Sequence, residues 1–437
     1  MRKINLFLVV LALLGGVVTP SARAALTIEI TQGIEGALPI AVVPFGWDGA
    51  TAPPQDVSAI IANDLRRSGR FAPIPEQDLI ARPHDGTQVR FADWRILNVE
   101  NLLVGRVRAM GPDAYVVQFQ LFDVFKGAQL AGYSIPANRE NLRRTAHHVA
   151  DIVYETLTGQ RGAFNTRIAY VVALPAGVDD NARYQLRVAD SDGYEPKTIL
   201  RSPEPLMSPA WSPDGEQLAY VSFENGQPEI FLQHVKSGQR RSVSRYPGIN
   251  GAPAWSPDGT QLALTLSRKG NPDIYVMDIV SGTLRQLTRN FAIDTEPAWS
   301  PDGSQIAFTS DRGGRPQIYQ VPARGGRPKR LTFEGSYNAR PAFSPDGKQL
   351  VFVNGQENKF RIAIMELESG LMRILTDGTL DESPSFAPNG SMLLYATRDR
   401  GRGLLAAVSA DGRVHQRLVP EAGDVREPAW SPFEQEN

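Results

Sequence analysis

The 437-residue sequence predicts a multidomain protein in which an N-terminal mixed α/β domain is followed by an all-β six-bladed β-propeller. Three observations lead to this prediction. A seven-residue motif returns six times in the C-terminal two-thirds of the chain, at a spacing of 43 or 44 residues. The residues before it lack the repeat and combine strand and helix patterns. Glycine (39) and proline (33) are abundant, which favours many turns and a β-rich fold.

Residues 1–24 have the pattern of a secretory signal peptide. Arg2 and Lys3 give a positively charged start, Leu6–Val18 is an apolar run, and the small residues ending at Ala24 fit a cleavage site. The apolar run is too short for a membrane-spanning helix, which takes about 20 residues. We therefore expect cleavage between Ala24 and Ala25 and an exported mature chain. An uncleaved N-terminal anchor is the alternative.

The composition argues against several classes of ligand and of scaffold. Without Arg2, Lys3 and Arg23, the 46 basic residues fall to 43 against 47 acidic ones, a net charge of −4. No basic block stands out, which argues against nucleic acid as a partner. No other segment is apolar enough to suggest insertion into a membrane. The chain has no cysteine, which excludes a disulfide-stapled scaffold and a lipoprotein anchor.

Residues 25–160 show a mixture of strand and helix patterns. Leu26, Ile28 and Ile30 alternate with polar residues and predict a short half-buried strand. Apolar spacing predicts two helices, over 56–68 and 139–158, each stopped by a glycine. Further strands are expected at 40–45, 102–109, 115–124 and 129–135. We expect one small sheet with two helices packed on it, followed by a linker over 161–166.

The repeated motif is Pro-Ala-Trp-Ser-Pro-Asp-Gly, and each of its parts has a structural reason. Proline is tolerated at the head of a strand, and Ser-Pro-Asp-Gly suits a type I turn. The apolar run that follows, such as Gln217–Ser222, suits a strand covered on both faces. Four short strands in a period of this length are typical of a propeller blade. The motif aromatics are Trp211, Trp255, Trp299, Phe343, Phe386 and Trp430.

The two ends of the repeat predict how the ring closes. The first recognisable strand, Arg167–Val172, matches the second strand of a blade and has no motif before it. The last motif, at 428–432, has no blade after it. We therefore expect the C-terminal strand to join the first blade as its innermost strand. This 3+1 seam closes a propeller over 167–432 and hides strand edges that invite aggregation; residues 433–437 form a tail.

No catalytic constellation is evident. The sequence has no Gly-x-Ser-x-Gly, P-loop or His-Glu-x-x-His motif. His147 and His148 are adjacent on a predicted helix and point to different faces, so they cannot chelate together. Asp190 to Gly193 resembles the start of a calcium loop but lacks the closing glutamate, which favours a hairpin turn. We expect no enzyme, metal or cofactor. A propeller-gated hydrolase or lyase, and a peptidoglycan-binding propeller, are the alternatives.

The residues just before each motif differ from blade to blade. All inner strands begin on the same side of the ring, so these residues surround one mouth of the central channel. The fold does not require their variety, whereas a single asymmetric ligand does; generic solvated loops are the alternative. They are Met207, Ser208, Gly251, Ala252, Thr295, Glu296, Ala339, Arg340, Glu382, Ser383, Arg426 and Glu427.

A second candidate is the segment over residues 25–36. It is short and alternating, so it can pair as an edge strand or be donated to a partner's sheet. An ordinary first strand is the alternative.

The order of signal peptide, small α/β domain and six blades resembles the TolB family, the periplasmic components of the Tol–Pal system of Gram-negative bacteria. The resemblance covers essentially the whole chain. The strings that carry it are Arg167–Val172, Arg201–Gly215, Asn250–Pro253, Tyr275–Asp278 and Thr295–Pro297. The repeat alone is less specific, because it also occurs in propellers attached to peptidases and in some polysaccharide lyases.

The resemblance implies a periplasmic monomer that binds two proteins and supports outer-membrane integrity and invagination at cell division. It implies that the channel mouth docks the lipoprotein Pal, at the matching positions Ile249, Asn250, Ala252, Thr295 and Glu296. It also implies that TolA recognises the mature N-terminal segment, namely Ala25, Leu26, Thr27, Ile28, Glu29 and Ile30. Other outer-membrane-associated proteins are further expected partners.

Overall fold

The computed structural model describes residues 27–32, 36–49, 52–419 and 423–434. It contains an N-terminal α/β domain and a ring of six antiparallel blades, which confirms the predicted fold class. The predicted signal peptide, the cleavage site between Ala24 and Ala25, and Leu26 lie outside the described residues. Within those ranges, no helix is both long and apolar enough to cross a membrane.

The N-terminal domain is built on one mixed sheet, ordered β4-β2-β5-β6-β7, with β3 also paired to β5. Strand β2 pairs in parallel with both neighbours, and β5, β6 and β7 are antiparallel. In chain order, the strands and α-helices from residue 27 to the end of this domain are β1 (Thr27–Gln32), β2 (Leu38–Val42), β3 (Gly46–Trp47), α1 (Val57–Arg67), β4 (Phe71–Pro73), α2 (Phe91–Ile96), β5 (Asn101–Ala109), β6 (Ala114–Asp123), β7 (Ala128–Asn138) and α3 (Leu142–Thr158).

Both predicted helices are present, and their ends follow the expected chemistry. The Asp56 side chain caps α1 by accepting the Ala59 N–H at 3.0 Å. Gly159 ends α3 with a φ of 73°, a conformation that glycine adopts at little cost. The short helix α2 was not predicted, because only Trp94 of its six residues is buried and no apolar period can develop.

The blades follow the predicted seam. Blade one contains β8 (Arg167–Ala173), β9 (Tyr184–Asp190) and β10 (Lys197–Ser202), and its inner strand is the last strand of the chain. The remaining strands are β11 (Leu206–Trp211), β12 (Gln217–Ser222), β13 (Glu229–His234) and β14 (Arg240–Ser244) in blade two; β15 (Asn250–Trp255), β16 (Gln261–Leu266), β17 (Asp273–Asp278) and β18 (Leu284–Gln286) in blade three; β19 (Asp294–Trp299), β20 (Gln305–Ser310), β21 (Gln317–Pro322) and β22 (Lys329–Arg330) in blade four; β23 (Tyr337–Phe343), β24 (Gln349–Gln356), β25 (Lys359–Glu366) and β26 (Met372–Ile374) in blade five; β27 (Glu382–Phe386), β28 (Met392–Asp399), β29 (Arg402–Ser409) and β30 (His415–Val419) in blade six; and β31 (Asp424–Trp430) in blade one.

The motif serine and tryptophan each make a hydrogen bond that the repeat depends on. In blade four, Ser300 Oγ accepts the N–H of Gln305 at 2.9 Å, which fixes the turn from the inner to the second strand. Trp299 Nε1 donates to the carbonyl of Ala254 at 3.2 Å and so links two neighbouring inner strands. Phenylalanine replaces tryptophan in blades five and six, so this indole bond is not available there.

Strand β1 joins the propeller although it precedes the N-terminal domain in the chain. It pairs antiparallel with β30, with Glu29 opposite Arg417, and extends blade six to five strands. The strand predicted from residue alternation therefore exists, at the outer edge of the ring. Among the described residues, no strand pairs with its other edge.

The N-terminal domain contacts the side of the ring that carries the motif turns. Gln160 Nε2 donates to the carbonyl of Asn389 at 2.6 Å, and Asn389 Nδ2 donates to the carbonyl of Arg161 at 2.8 Å. Asn389 belongs to the motif turn of blade six, where the inner strand ends. The channel mouth, where the inner strands begin, is therefore on the side away from the N-terminal domain.

Candidate functional site

The residue directly before each motif proline has a left-handed backbone conformation and lines the channel. These residues are Ser208, Ala252, Glu296, Arg340, Ser383 and Glu427, with φ between 46° and 57°. The pairing register shifts at this position in every inner strand. The following proline has no N–H to donate, so a bulge at this position removes few backbone hydrogen bonds between the strands. The left-handed conformation costs a non-glycine residue roughly 1–2 kcal/mol, and it is repeated six times around the candidate site.

Arg340 connects blades across the channel. Its Nε donates to Glu296 Oε1 at 3.1 Å, and its Nη2 donates to the Glu427 carboxylate oxygens at 3.0 and 2.9 Å. Its Nη1 contacts Ser383 Oγ. The Arg340 backbone N–H also donates to Glu296 Oε2 at 3.0 Å. One side chain of blade five thereby joins blades four, six and one.

The network favours the charged form of Arg340. Burial by itself lowers the pKa of the Arg340 guanidinium, but Glu427 and Glu296 outweigh it and raise that pKa. Burial, and then the charge of Glu296, raises the pKa of the neighbouring Tyr337 hydroxyl. Charge-assisted hydrogen bonds of this kind are strong and directional. The centre of the mouth therefore presents a fixed polar pattern.

The channel encloses about 360 Å³ and is lined by the motif prolines and the six left-handed residues. Its two carboxylates, the partly exposed Glu296 and the buried Glu427, are both paired with Arg340. Ser383 faces the same guanidinium and has no base beside it among the described lining residues. The arrangement favours recognition of a surface over nucleophilic or acid–base chemistry.

Exposed apolar side chains surround this polar centre. Met207 and Ile249, both predicted from the sequence, are 39% and 45% exposed. The segments between blades add Phe291, which is fully exposed, and Ile293 and Phe333, at 50% and 72%. These three residues were not predicted. An aromatic residue in an inter-blade segment is the signal that could have found the two phenylalanines.

Asn250, which the family resemblance implies as a mouth residue, is buried. Its Oδ1 accepts from Ser244 Oγ at 2.7 Å and from the Tyr246 N–H at 2.9 Å, and its Nδ2 donates to the Tyr246 carbonyl at 2.6 Å. The side chain therefore shapes the loop that presents Ile249. The equivalent position is buried in every blade, as Leu206, Asn250, Asp294, Asn338, Asp381 and Val425.

The remaining predicted mouth residues divide between rim and channel. Thr295, Glu382 and Arg426 are partly exposed at the rim. Thr295 Oγ1 accepts from Thr265 Oγ1 at 3.3 Å, and Arg426 makes one long contact of 3.8 Å to Asp424. These side chains can rearrange to meet a partner at lower cost than the paired groups at the centre.

The predicted N-terminal contact segment is described from Thr27 onward and lies on blade six. Glu29 and Ile30 are exposed at this edge. The Thr31 hydroxyl donates to the carbonyl of His415 at 3.3 Å. The segment is thus held by backbone pairing, and in the part of the chain that the structure describes no strand pairs with its other edge.

Comparison with known proteins gives matches to both parts of the chain. The TolB amino-terminal domain family matches residues 26–130, and the TolB beta propeller domain family matches residues 154–434. The chain is 62% identical to a Tol-Pal system protein TolB of Nitrosococcus oceani over 416 residues, covering 95% of each chain. It is 55% identical to that of Xanthomonas campestris, covering 94% of each.

A solved structure agrees with these matches. The crystal structure of TolB from Acinetobacter baumannii superposes with a TM-score of 0.87 at 42% identity, covering 93% of this chain and all of that chain. A nidogen/laminin complex, at 13% identity and a TM-score of 0.52, shares the propeller fold alone. The family is a component of the Tol–Pal system and not an enzyme. On this identity and coverage, the chain belongs to the TolB family.

Proposed function

We propose that the chain is a periplasmic adaptor that binds the lipoprotein Pal at the channel mouth and TolA through its N-terminal segment. Through these two contacts it supports outer-membrane integrity and its invagination during cell division. The observation that carries the proposal is the mouth itself, where a paired polar centre is surrounded by exposed apolar side chains. Membership of the Tol–Pal system makes proteins of that system the expected ligands.

The mouth has the composition of a protein-binding surface. Interfaces derive most of their affinity from a few large apolar or aromatic anchors, and their orientation from fixed polar groups. Phe291 and Phe333 supply exposed aromatic anchors, and Met207 and Ile249 extend the apolar surface. The Arg340 network supplies the fixed polar groups. We expect Pal to cover these apolar side chains and to meet the network at its centre.

Calorimetric titration with Pal tests the apolar contribution. Phe291→Ser and Phe333→Ser should each weaken binding at least tenfold, because an aromatic hot spot is typically worth about 2 kcal/mol or more. Val280→Ser is the matched control: Val280 is 96% exposed and lies in the β17–β18 hairpin, on the opposite side of the ring. Unchanged affinity in both phenylalanine variants contradicts the proposed Pal surface.

The charge contribution is best tested at the rim. Reversing Glu296, Arg340 or Glu427 breaks the central network, so weaker binding in those variants has no unique explanation. Arg426→Glu and Glu382→Lys remove none of the hydrogen bonds of that network, although Glu382 also acts on Arg340 through its charge. Rim charges act mainly on the association rate and its salt dependence. We therefore expect both variants to associate with Pal at rates different from wild type at low salt. If both variants associate at the wild-type rate, Pal makes no charged contact at the rim.

TolA recognition is proposed for the segment from Ala25 to Ile30. A partner strand can add to the open edge of β1, or β1 can leave β30 and pair with the partner. Removing residues 25–36 should abolish TolA binding in either case. If the truncated chain still binds TolA with wild-type affinity, the N-terminal assignment is incorrect.

A disulfide distinguishes the two routes. Glu29 and Arg417 are opposite each other in the β1–β30 ladder, and the natural chain has no cysteine that could compete. In the Glu29→Cys/Arg417→Cys variant, oxidation locks β1 in place. If TolA binds only the reduced protein, β1 must be released, and if it binds both forms equally, it adds to the open edge.

A further inference from the structure

A buried polar cluster joins the N-terminal domain to blade one. His147 of α3 is 2% exposed, and its Nδ1 lies 2.6 Å from Asp64 Oδ2 of α1. Its Nε2 points at the turn between β9 and β10, 3.9 Å from both Asp190 Oδ2 and Asp192 Oδ2. This nitrogen is buried and makes no hydrogen bond to a described residue. The imidazole therefore lies between carboxylates of two different domains.

Two arginines complete the cluster. Arg67, at the end of α1, donates from Nε to Asp64 Oδ1 at 2.9 Å and from Nη2 to Ser191 Oγ at 2.8 Å. Arg143, one turn before His147 on α3, lies 3.3 Å from Asp190 through its Nε and contacts Asp192 through its Nη2.

The surroundings add further charged groups. Arg144 and Arg167 act on Asp190 through their charges, and both are paired with Glu434, at 3.2 and 3.3 Å. Asp151, one turn after His147, accepts the N–H groups of Phe164 and Asn165 at 2.7 and 3.1 Å, and so holds the segment between the domains. From blade six, the uncharged Gln416 donates to the carbonyl of Arg67.

The charges of the cluster decide the state of the imidazole. Among the side chains in direct contact, three carboxylates, on Asp64, Asp190 and Asp192, face two guanidinium groups, which leaves one negative charge uncompensated within that set. A second proton on the imidazole brings the sum to zero. The Arg143 guanidinium already contacts both turn carboxylates, so the cluster accommodates a proton more readily than a further metal cation.

We propose that this cluster is a proton-operated latch between the N-terminal domain and blade one. With His147 protonated, the imidazolium bridges Asp64 of α1 and the two aspartates of the β9–β10 turn. With His147 neutral, its Nε2 has no proton to offer the turn, and the two domains lose an ionic contact. The latch is independent of which partner binds the channel mouth.

The direction of the pH dependence follows from the surroundings. Burial lowers the pKa of His147, but Asp64 and then Asp192 outweigh it and raise that pKa above its ordinary value of 6.5. A raised histidine pKa stabilises the closed state fully below about 6.5, and the stabilisation is lost as the pH rises through the pKa of the closed state. Within that window the opening constant rises up to about tenfold per pH unit.

The Asp151 carboxyl also favours opening as the pH rises, so its effect has to be separated from that of His147. Burial raises the pKa of the Asp151 carboxyl to about 7, so ionisation also favours opening as the pH rises from 3.8 toward that value. Burial also raises the pKa of the Asp190 carboxyl. The pKa of the Asp192 carboxyl is lowered, because His147 and the two arginines outweigh the opposing effect of burial.

Hydrogen exchange of the full chain tests the latch. Amide exchange of residues 190–194, corrected for intrinsic rates, is followed from about pH 5.5 to about 8.5, which brackets the ordinary histidine pKa. Asp151→Asn, which removes the contribution of that carboxyl, should keep an opening constant that rises at least about tenfold, and the double variant Asp151→Asn/His147→Gln should show none of this rise. The control His148→Gln, on the adjacent and partly exposed residue, should follow wild type.

Two results overturn the proposal. One is a pH-dependent rise that survives in Asp151→Asn/His147→Gln or is already absent from Asp151→Asn. The other comes from nitrogen NMR of the imidazoles in the wild-type protein, which does not depend on the variant folding. A His147 pKa at or below about 6.5 means that the closed interface does not favour the proton.

Discussion

Replacing Arg340 with alanine should destabilise the propeller more than any other single change at the mouth. The substitution removes the pairs with Glu296 and Glu427 and leaves Glu427, whose side chain is only 10% exposed, without its cation. Breaking a buried ion pair by removing one partner costs about 3–5 kcal/mol. Arg340 is 24% exposed, which places the loss at the lower end, about 3 kcal/mol.

Differential scanning calorimetry of the full chain measures this loss. For a propeller of this size, 3 kcal/mol corresponds to a fall in Tm of about 6 °C. Arg426→Ala is the matched control, because Arg426 is at the same rim, is 38% exposed and makes only a 3.8 Å contact to Asp424. We expect a change below about 0.5 kcal/mol there. Equal Tm shifts for Arg340→Ala and Arg426→Ala would refute the cross-channel network as a stabilising element.

Three further predictions concern the repeat. Trp299→Phe should lower the free energy of unfolding by about 1 kcal/mol in urea titration, because it removes one inter-blade hydrogen bond to Ala254. A bond from the Ser300 hydroxyl, with further bonds from Ser304, lowers the pKa of Asp302 to about 2. Its contribution to stability is therefore present above pH 3.8 and lost as the pH falls toward 2, so Asp302→Asn should reduce the acid sensitivity of the urea midpoint; an unchanged slope contradicts this. Asn250→Ala should cost about 2 kcal/mol, because it leaves buried partners unsatisfied, whereas the exposed Ile249→Ala should leave the midpoint within about 0.5 kcal/mol of wild type.

The ring architecture could be predicted because its determinants are local. The motif serine acts within five residues, as Ser300 does on Gln305, and the turn chemistry repeats with the blade period. A missing first inner strand and a surplus last one were enough to predict the seam. Continuous apolar runs in the sequence indicate buried strands such as β12.

The mouth was predicted as a location, but its internal arrangement was not. Residue variety before each motif predicted one mouth of the channel as a candidate partner surface. Nothing in the sequence indicated the left-handed backbone at Ser208 and its equivalents, because glycine is absent from that position. Nor could the sequence separate the buried Asn250 from its exposed neighbour Ile249, since adjacent loop residues carry no period that reports burial.

The sequence by itself determined the number of blades, the turn that starts each second strand and the C-terminal closure. Only the tertiary structure decided which polar groups meet: Arg340 with Glu427, 87 residues away, His147 with Asp64, 83 residues away, and β1 with the outer edge of blade six. The physical reason is that periodicity and turn chemistry are short-range properties of a chain. The partner of a buried charge depends instead on how distant strands and helices pack, and that is fixed only when the ring closes and the N-terminal domain docks on it.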